Sequence, residues 1–455
     1  MEQIKKNDLG KDSIGKLIVN LTIPAITAQL INALYNIVDR IYIGRIPEVG
    51  GAALTGVGVT FPIVMLISAF GALLGMGGAP KAAIKMGEKN NDAAEEILGN
   101  CFTGMIIMAI VLTIFFLVFQ EPLLMMFGAS ERTISYGLKY LNIYVCGTIF
   151  VQATLVLNSF ITAQGFARTG MLTVLIGAVL NIVLDPILIF YFKMGVQGAA
   201  IATVISQAVS AIWVIKFLIG KNTKIKIKKE YFKIKKSVII PIIGLGLSPF
   251  VMQSTNSVVN VVLNSSLQKF GGDLGVGAMT ICGSVIQVLQ MPVFGLAQGV
   301  QPIVSYNYGA RNIDRVKKAY KILLFMSMGY CGVAWLIEIL FPAMFVTMFT
   351  EDKELIRFTV WALNIYGAGL FMMGVQVPCQ QTFVALGEAK VSLILSLLKK
   401  IILLVPFALI FPFFFENKVF AVFLAEPVAG ILAASITATV FSIRFPKLLK
   451  RRAIG

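Results

Sequence analysis

Apolar stretches long enough to cross a lipid bilayer recur from one end of this 455-residue chain to the other. A helix needs about 20 apolar residues to span the hydrocarbon core. Backbone exposed to lipid must satisfy its own hydrogen bonds, so each stretch reads as a membrane helix. Apolar runs set against charged or Gly/Pro breaks give twelve spans, at 15–39, 53–80, 94–119, 134–157, 170–192, 196–219, 238–264, 276–304, 318–343, 355–380, 391–415 and 418–443. Charged residues are 13% of the chain, about half the share of a soluble protein. No stretch is left over for a separate soluble domain, and the expected fold class is all-α integral membrane. The N-terminus is polar as far as Lys16 and the apolar run behind it is full length, so the first span is expected to stay in the membrane rather than be cleaved.

A net charge of +17 would suggest nucleic acid in a soluble chain. Here the placement of the charge explains it. An even number of spans puts both termini and the even-numbered loops on one side. That side collects Lys5, Lys6, Lys11 and Lys16, the loop from Lys81 to Lys89, Arg168, the stretch from Lys216 to Lys236, Arg311 to Lys321, Lys390 to Lys400 and Arg444 to Arg452. Most of the 39 lysines and arginines are thereby accounted for, and the positive-inside rule makes that side cytoplasmic. The expected partner of this charge is anionic membrane lipid, not nucleic acid. The five cysteines (Cys101, Cys146, Cys282, Cys331, Cys379) all lie in apolar segments, with neither metal-ligand nor disulfide spacing.

The chain also repeats itself. At an offset of 222 residues, GEKNND (Gly87–Asp92) matches GARNID (Gly309–Asp314), LNIY (Leu141–Tyr144) matches LNIY (Leu363–Tyr366), and AQGFAR (Ala163–Arg168) matches ALGEAK (Ala385–Lys390). Pro24 and Pro249 correspond with a shift of three. Several matches in one register mark a tandem duplication of a six-helix unit. With six spans per copy, both copies enter the membrane from the same side, so the repeats are parallel. The expected units are residues 1–220, a basic cytoplasmic linker at 221–236, and residues 237–455, with the substrate path between the two lobes.

Ionisable groups at mid-membrane cost roughly 2.5–3.5 kcal/mol each on insertion scales and so mark candidate sites. With no histidine in the chain, any proton relay must run through carboxylates. Asp185 lies well inside the fifth span, with Asn181 one turn before it on the same face and Pro186 directly after it. Proline removes a backbone donor and frees carbonyl oxygens nearby, so carboxylate, amide and loosened backbone together suit a proton or Na⁺. Asp39, at the outer end of the first span, reads by position as an interfacial partner of Arg40 or Arg45. Glu338 reads as interfacial too. Lys399 and Lys400 are expected to snorkel to the cytoplasmic surface. Glu426 is too deep and short to do so, and could pair with Lys399 or attract a cationic substrate. Apolar, aromatic and methionine-rich surfaces favour promiscuous binding, and the cavity candidates are Tyr35, Met65, Met252, Gln253, Met291, Met372 and Glu426.

Four strings in order and spacing, VDRIYIG (Val38–Gly44), NIVLDPILIF (Asn181–Phe190), GVQGAAIATVISQ (Gly195–Gln207) and QPIVSYNYGARN (Gln301–Asn312), resemble the multidrug and toxic compound extrusion family, in particular its MepA-like bacterial type. The resemblance runs over essentially the whole chain. It implies a V-shaped two-lobe fold and cation-coupled antiport, in which H⁺ or Na⁺ enters while amphipathic, often cationic drugs and dyes leave. It implies no cofactor, a place in the bacterial cytoplasmic membrane, and a monomer. It also pulls Asp39 towards a coupling role, and it carries over Tyr140, Asn158 and Thr203 as polar neighbours. At positions equivalent to Asp39 and Asp185 the second copy has about Asn264 and Phe407. Where some relatives place acids in the seventh and tenth helices, this chain offers Gln253, Asn256, Asn260 and Gln376. That difference favours coupling in the N-terminal lobe. A lipid-linked sugar flippase of the same wider superfamily is the nearest alternative. An ATP-driven pump lacks its GxxxxGK[ST] string, and a channel lacks any filter loop.

Overall fold

A computed structural model describes residues 7–454, which are helical throughout apart from short connections. Lys5 and Lys6 lie outside the described residues. The first lobe comprises α1 (Ile14–Gly44), α2 (Gly50–Gly87), α3 (Asn91–Met126), α4 (Ile134–Cys146 with Thr148–Ala163, bent by 55° between them), α5 (Ala167–Tyr191) and α6 (Gly195–Ile219). A 74-residue helical run, Lys236–Gly309, leaves helical geometry only at Gly272 (φ 60°). Glycine alone adopts that backbone freely, and the run is two spans, α7 (236–271) and α8 (273–309). The second lobe continues with α9 (Ile313–Leu340), α10 (Lys353–Ala385), α11 (Ala389–Phe413) and α12 (Lys418–Ile454).

The duplication is written into the backbone as well as the letters. Lys89 and Arg311 both take positive φ (60° and 59°), as do Gly165 and Gly387 (91° and 80°), each pair separated by the sequence offset. Asn90 and Asn312 then open α3 and α9, and Asn90 Oδ1 accepts from the Ala93 amide at 3.0 Å. Each fourth helix of a lobe breaks at a glycine, Gly147 in α4 and Gly367–Gly369 in α10.

The lobes meet through α1, α2, α7 and α8, on the halves nearest the chain termini. Lipid tails are as apolar as leucine, so membrane helices associate through close backbone approach at small residues. Gly77 packs on the Ile242 carbonyl and Gly246 on that of Leu73, while Gly295 and Gly299 of α8 pack on Ile26 and Thr22 of α1. At the tip the arrangement is reciprocal: Gly87 lies against the Tyr306 carbonyl and Gly309 against that of Ile84. Arg452 closes the same end by bonding Glu88 and the Tyr308 (3.1 Å) and Gly309 (3.2 Å) carbonyls. Gln29–Gln298 (3.0 Å) and the Phe70–Phe250 ring pair (4.9 Å) mark the contact farthest from the termini among those named.

The basic segment between the lobes is fastened to the first one. Lys228 pairs with Glu95 at 2.6 Å and Lys235 with Glu96. The Lys235 amide donates to Asn100 Oδ1 (2.8 Å), and Phe232 stacks on Phe102.

Candidate functional site

Asp185 ends the regular part of α5. Behind it, Pro186 leads into a π-turn at Ile187–Tyr191, so the hydrogen-bond ladder changes register where the acid sits. The side chain is 0% exposed. Asn181 Nδ2 donates to Asp185 Oδ1 (3.2 Å) and to Thr203 Oγ1 of α6 (3.3 Å), and Thr203 donates to the Ala199 carbonyl (3.0 Å). Asp185 Oδ2 is buried and accepts nothing.

The carboxyl of Asp39, from α1, lies within hydrogen-bonding reach of that of Asp185. Its Oδ1 is likewise buried without a partner. The interfacial ion pair with Arg40 or Arg45 does not form. Helix α1 runs on to Gly44, which keeps Asp39 inside, while Arg40 turns away to lie over the Phe61 ring (5.0 Å). Tyr35 sits beside both acids, and the Tyr140 hydroxyl sits beside Asp39 and Thr203. Asp39, Asp185, Asn181, Thr203 and Tyr140 are therefore one cluster, and Tyr35 joins it from the cavity set. Asn158 does not belong to it: its amide donates to the Gly170 carbonyl (3.2 Å), about 20 Å down α5 at 1.5 Å per residue.

Two carboxylates facing each other in a largely apolar place repel strongly if both are ionised. The arrangement is stable with a proton or a monovalent cation between them, and the two unpartnered oxygens point to where it would bind. Among the described residues no group of three or more His, Cys, Asp or Glu forms a multivalent metal site.

In the second lobe the lysines depart from the sequence expectation. Lys399 and Lys400 do not snorkel. They lie in a π-turn of α11 (Leu398–Leu404) that carries them into the lobe. There Lys399 pairs with Glu426 of α12 at 3.0 Å, and Lys400 donates to the Met252 carbonyl (2.7 Å) and to Asn256 Oδ1 of α7. Glu338 is not interfacial either. It lies two residues from the end of α9, yet its carboxyl packs against Gly367 at the break in α10, and the residue is 0% exposed with both oxygens unpartnered. A serine network, Ser248, Ser392 and Ser396 with Gln380, joins α7, α10 and α11 through bonds of 2.6–2.7 Å. Small hydroxyls scattered in apolar runs gave no sequence signal for it. Met65, Met252, Gln253, Met291 and Met372 are half-buried on their helices.

The MatE family model matches residues 24–187 and again 249–410, so each copy begins at the proline that the internal repeat aligns. The multidrug export protein MepA of Staphylococcus haemolyticus is 25% identical over 95% of both chains, and that of Staphylococcus aureus (strain MSSA476) 24% identical over 94% of both. A crystal structure of MATE in the bent conformation superposes with a TM-score of 0.92 at 25% identity, covering 100% of this chain and 99% of that one. An outward-facing multidrug resistance MATE transporter gives 0.90 at 26% identity, covering 99% and 100%. The chain belongs to the MatE family of multi-pass membrane transporters.

Proposed function

We propose that this chain exports amphipathic, often cationic drugs and dyes from bacterial cells by antiport, with entry of H⁺ or Na⁺ at Asp39 and Asp185 driving the cycle. The observation that carries the reading is the facing pair of carboxyls, Asp185 buried and Asp39 half-buried, each with a buried oxygen that nothing in the protein satisfies. Such a pair binds one cation well and is costly empty. The relatives named above are multidrug export proteins, which supports the substrate class. With both termini cytoplasmic, the packed end of the molecule closes the cytoplasmic side. Cation binding would then occur from outside, neutralise the pair, and free α1 and α5 to repack as the lobes rock. Lobe motion of this kind places the cavity candidates, Tyr35 to Glu426, in the path. The chain works as a monomer in contact with anionic lipid, its lobes being residues 1–220 and 237–455.

The flippase alternative needs unpaired basic groups for a pyrophosphate. Lys399 is neutralised by Glu426, which favours the drug exporter. The test is dye uptake into inverted membrane vesicles under separately imposed Na⁺ and pH gradients. Uptake driven by one of them is expected, and full-rate transport with neither gradient would overturn the proposal.

A further inference from the structure

The proposed coupling pair accounts for the first lobe, but the second lobe holds a more isolated acid. Both oxygens of Glu338 are buried and accept no hydrogen bond. The carboxyl lies flat against the α-carbon of Gly367, so closely that a β-carbon there would stand 2.4 Å from Oε1. Gly367 opens the 3₁₀ turn at which α10 breaks, and any side chain at that position would expel the acid. Among the described residues no basic group pairs with Glu338. The titratable groups within electrostatic reach run as a string through the lobe: Cys282 of α8 interacts with Glu338, Tyr366 of α10 with Cys282 and Glu426, and Glu426 pairs with Lys399. An ionised carboxylate with no partner is costlier in such a place than the neutral acid, so this packing favours the neutral form.

We propose that Glu338 is a proton-binding site of the second lobe, filled while α10 is broken at Gly367–Gly369 and emptied when that break moves and opens the acid to water. On emptying, the carboxyl O–H bond breaks, the proton passes to water on the side remote from the termini, and the carboxylate remains. The inference rests on the exporter reading for its purpose, but its first test does not. The full-length protein in lipid nanodiscs is titrated with acid and base while its infrared carboxyl bands are recorded. Glu338→Gln, which has the shape of the neutral acid, is expected to lose one protonated-carboxyl band that Asp185→Asn retains. A Glu338→Gln spectrum identical to that of the unaltered protein overturns the proposal, whatever the transport assays give. Gly367→Ala is the second variant, because it displaces the carboxyl while leaving it in the chain. The same band is expected to shift or vanish, and an unmoved band counts against the site. In vesicles, gradient-driven export by Glu338→Gln is expected to fall by about tenfold, within the usual range of coupling between two sites, with dye binding at equilibrium unchanged. Export without a gradient would instead overturn the antiport reading and leave the band as the measure of Glu338.

Discussion

At the scale of single residues, acids stand where acids are expensive. Asp39 and Asp185 stand on helices far apart in sequence and present two unsatisfied oxygens to the same small space. Replacing either by asparagine keeps volume and hydrogen-bonding shape but removes the charge that a cation would neutralise. Asp185→Asn and Asp39→Asn are therefore expected to fold and bind dye, yet to lose gradient-driven export by at least about tenfold, a coupling loss of ordinary size. Ethidium efflux from energised cells, read beside protein level in the membrane, checks this. Export by Asp185→Asn equal to that of the unaltered protein would remove Asp185 from the mechanism. Asp185 itself was legible in the sequence, since an acid with Asn181 four residues earlier and Pro186 behind it has few innocent explanations. The role of Asp39 was ambiguous because its meaning depends on where α1 ends. Five more helical residues, as far as Gly44, convert an interfacial charge into an intramembrane one.

At the scale of elements, periodicity and repetition carried nearly all of the fold. The twelve apolar runs become the twelve helices, and the strings repeated at 222 residues become the turns and broken helices shared by the two copies. What escaped were local departures from α-helix. A π-turn swings Lys399 and Lys400 inward, and the 3₁₀ break of α10 at Gly367 packs against Glu338. Neither changes the apolar pattern from which spans are read, so length and hydropathy place those residues at a surface. The glycines at the lobe interface were present in the repeat but silent about their purpose, which becomes visible only when Gly87 and Gly309 are seen against opposing carbonyls. A β-carbon at Gly309 would lie 2.0 Å from the Ile84 oxygen, and backbone cannot give way as a side-chain tip can. Gly309→Ala is expected to hold the lobes apart at the terminus-bearing end. With native cysteines replaced and a thiol introduced at Met86, an impermeant maleimide added to inverted vesicles should react at least about fivefold faster in Gly309→Ala, at the lower end of couplings between states. An unchanged rate would mean that this contact does not hold the end shut.

For the molecule as a whole, the closed end is held by two kinds of contact with different sensitivities. Glycine packing between α2 and α8 does not respond to pH, whereas the link from Glu88 to Arg452 ties the C-terminal end of α12 to the end of α2 in the first lobe through charge. Burial pushes the Glu88 carboxyl up, but its bonds to Lys85 and Arg452 outweigh this and hold it below the usual carboxylate range. A lowered value in the packed state means that the stabilisation is fully present above the ordinary carboxylate range. It is lost only as pH falls through the lowered value. A pH change near neutrality therefore cannot open this end by titrating Glu88. Spin labels placed on the terminus-bearing ends of α3 and α9 would report the separation of the lobes there. Glu88→Gln is expected to raise the population with widened distances at neutral pH, because the charge partner of Arg452 is gone at every pH. In the unaltered protein the contribution of this link should persist through the mildly acidic range. If Glu88→Gln instead abolishes a pH-dependent widening centred near neutrality, then Glu88 is itself the proton sensor, and the assignment of coupling to the intramembrane acids fails.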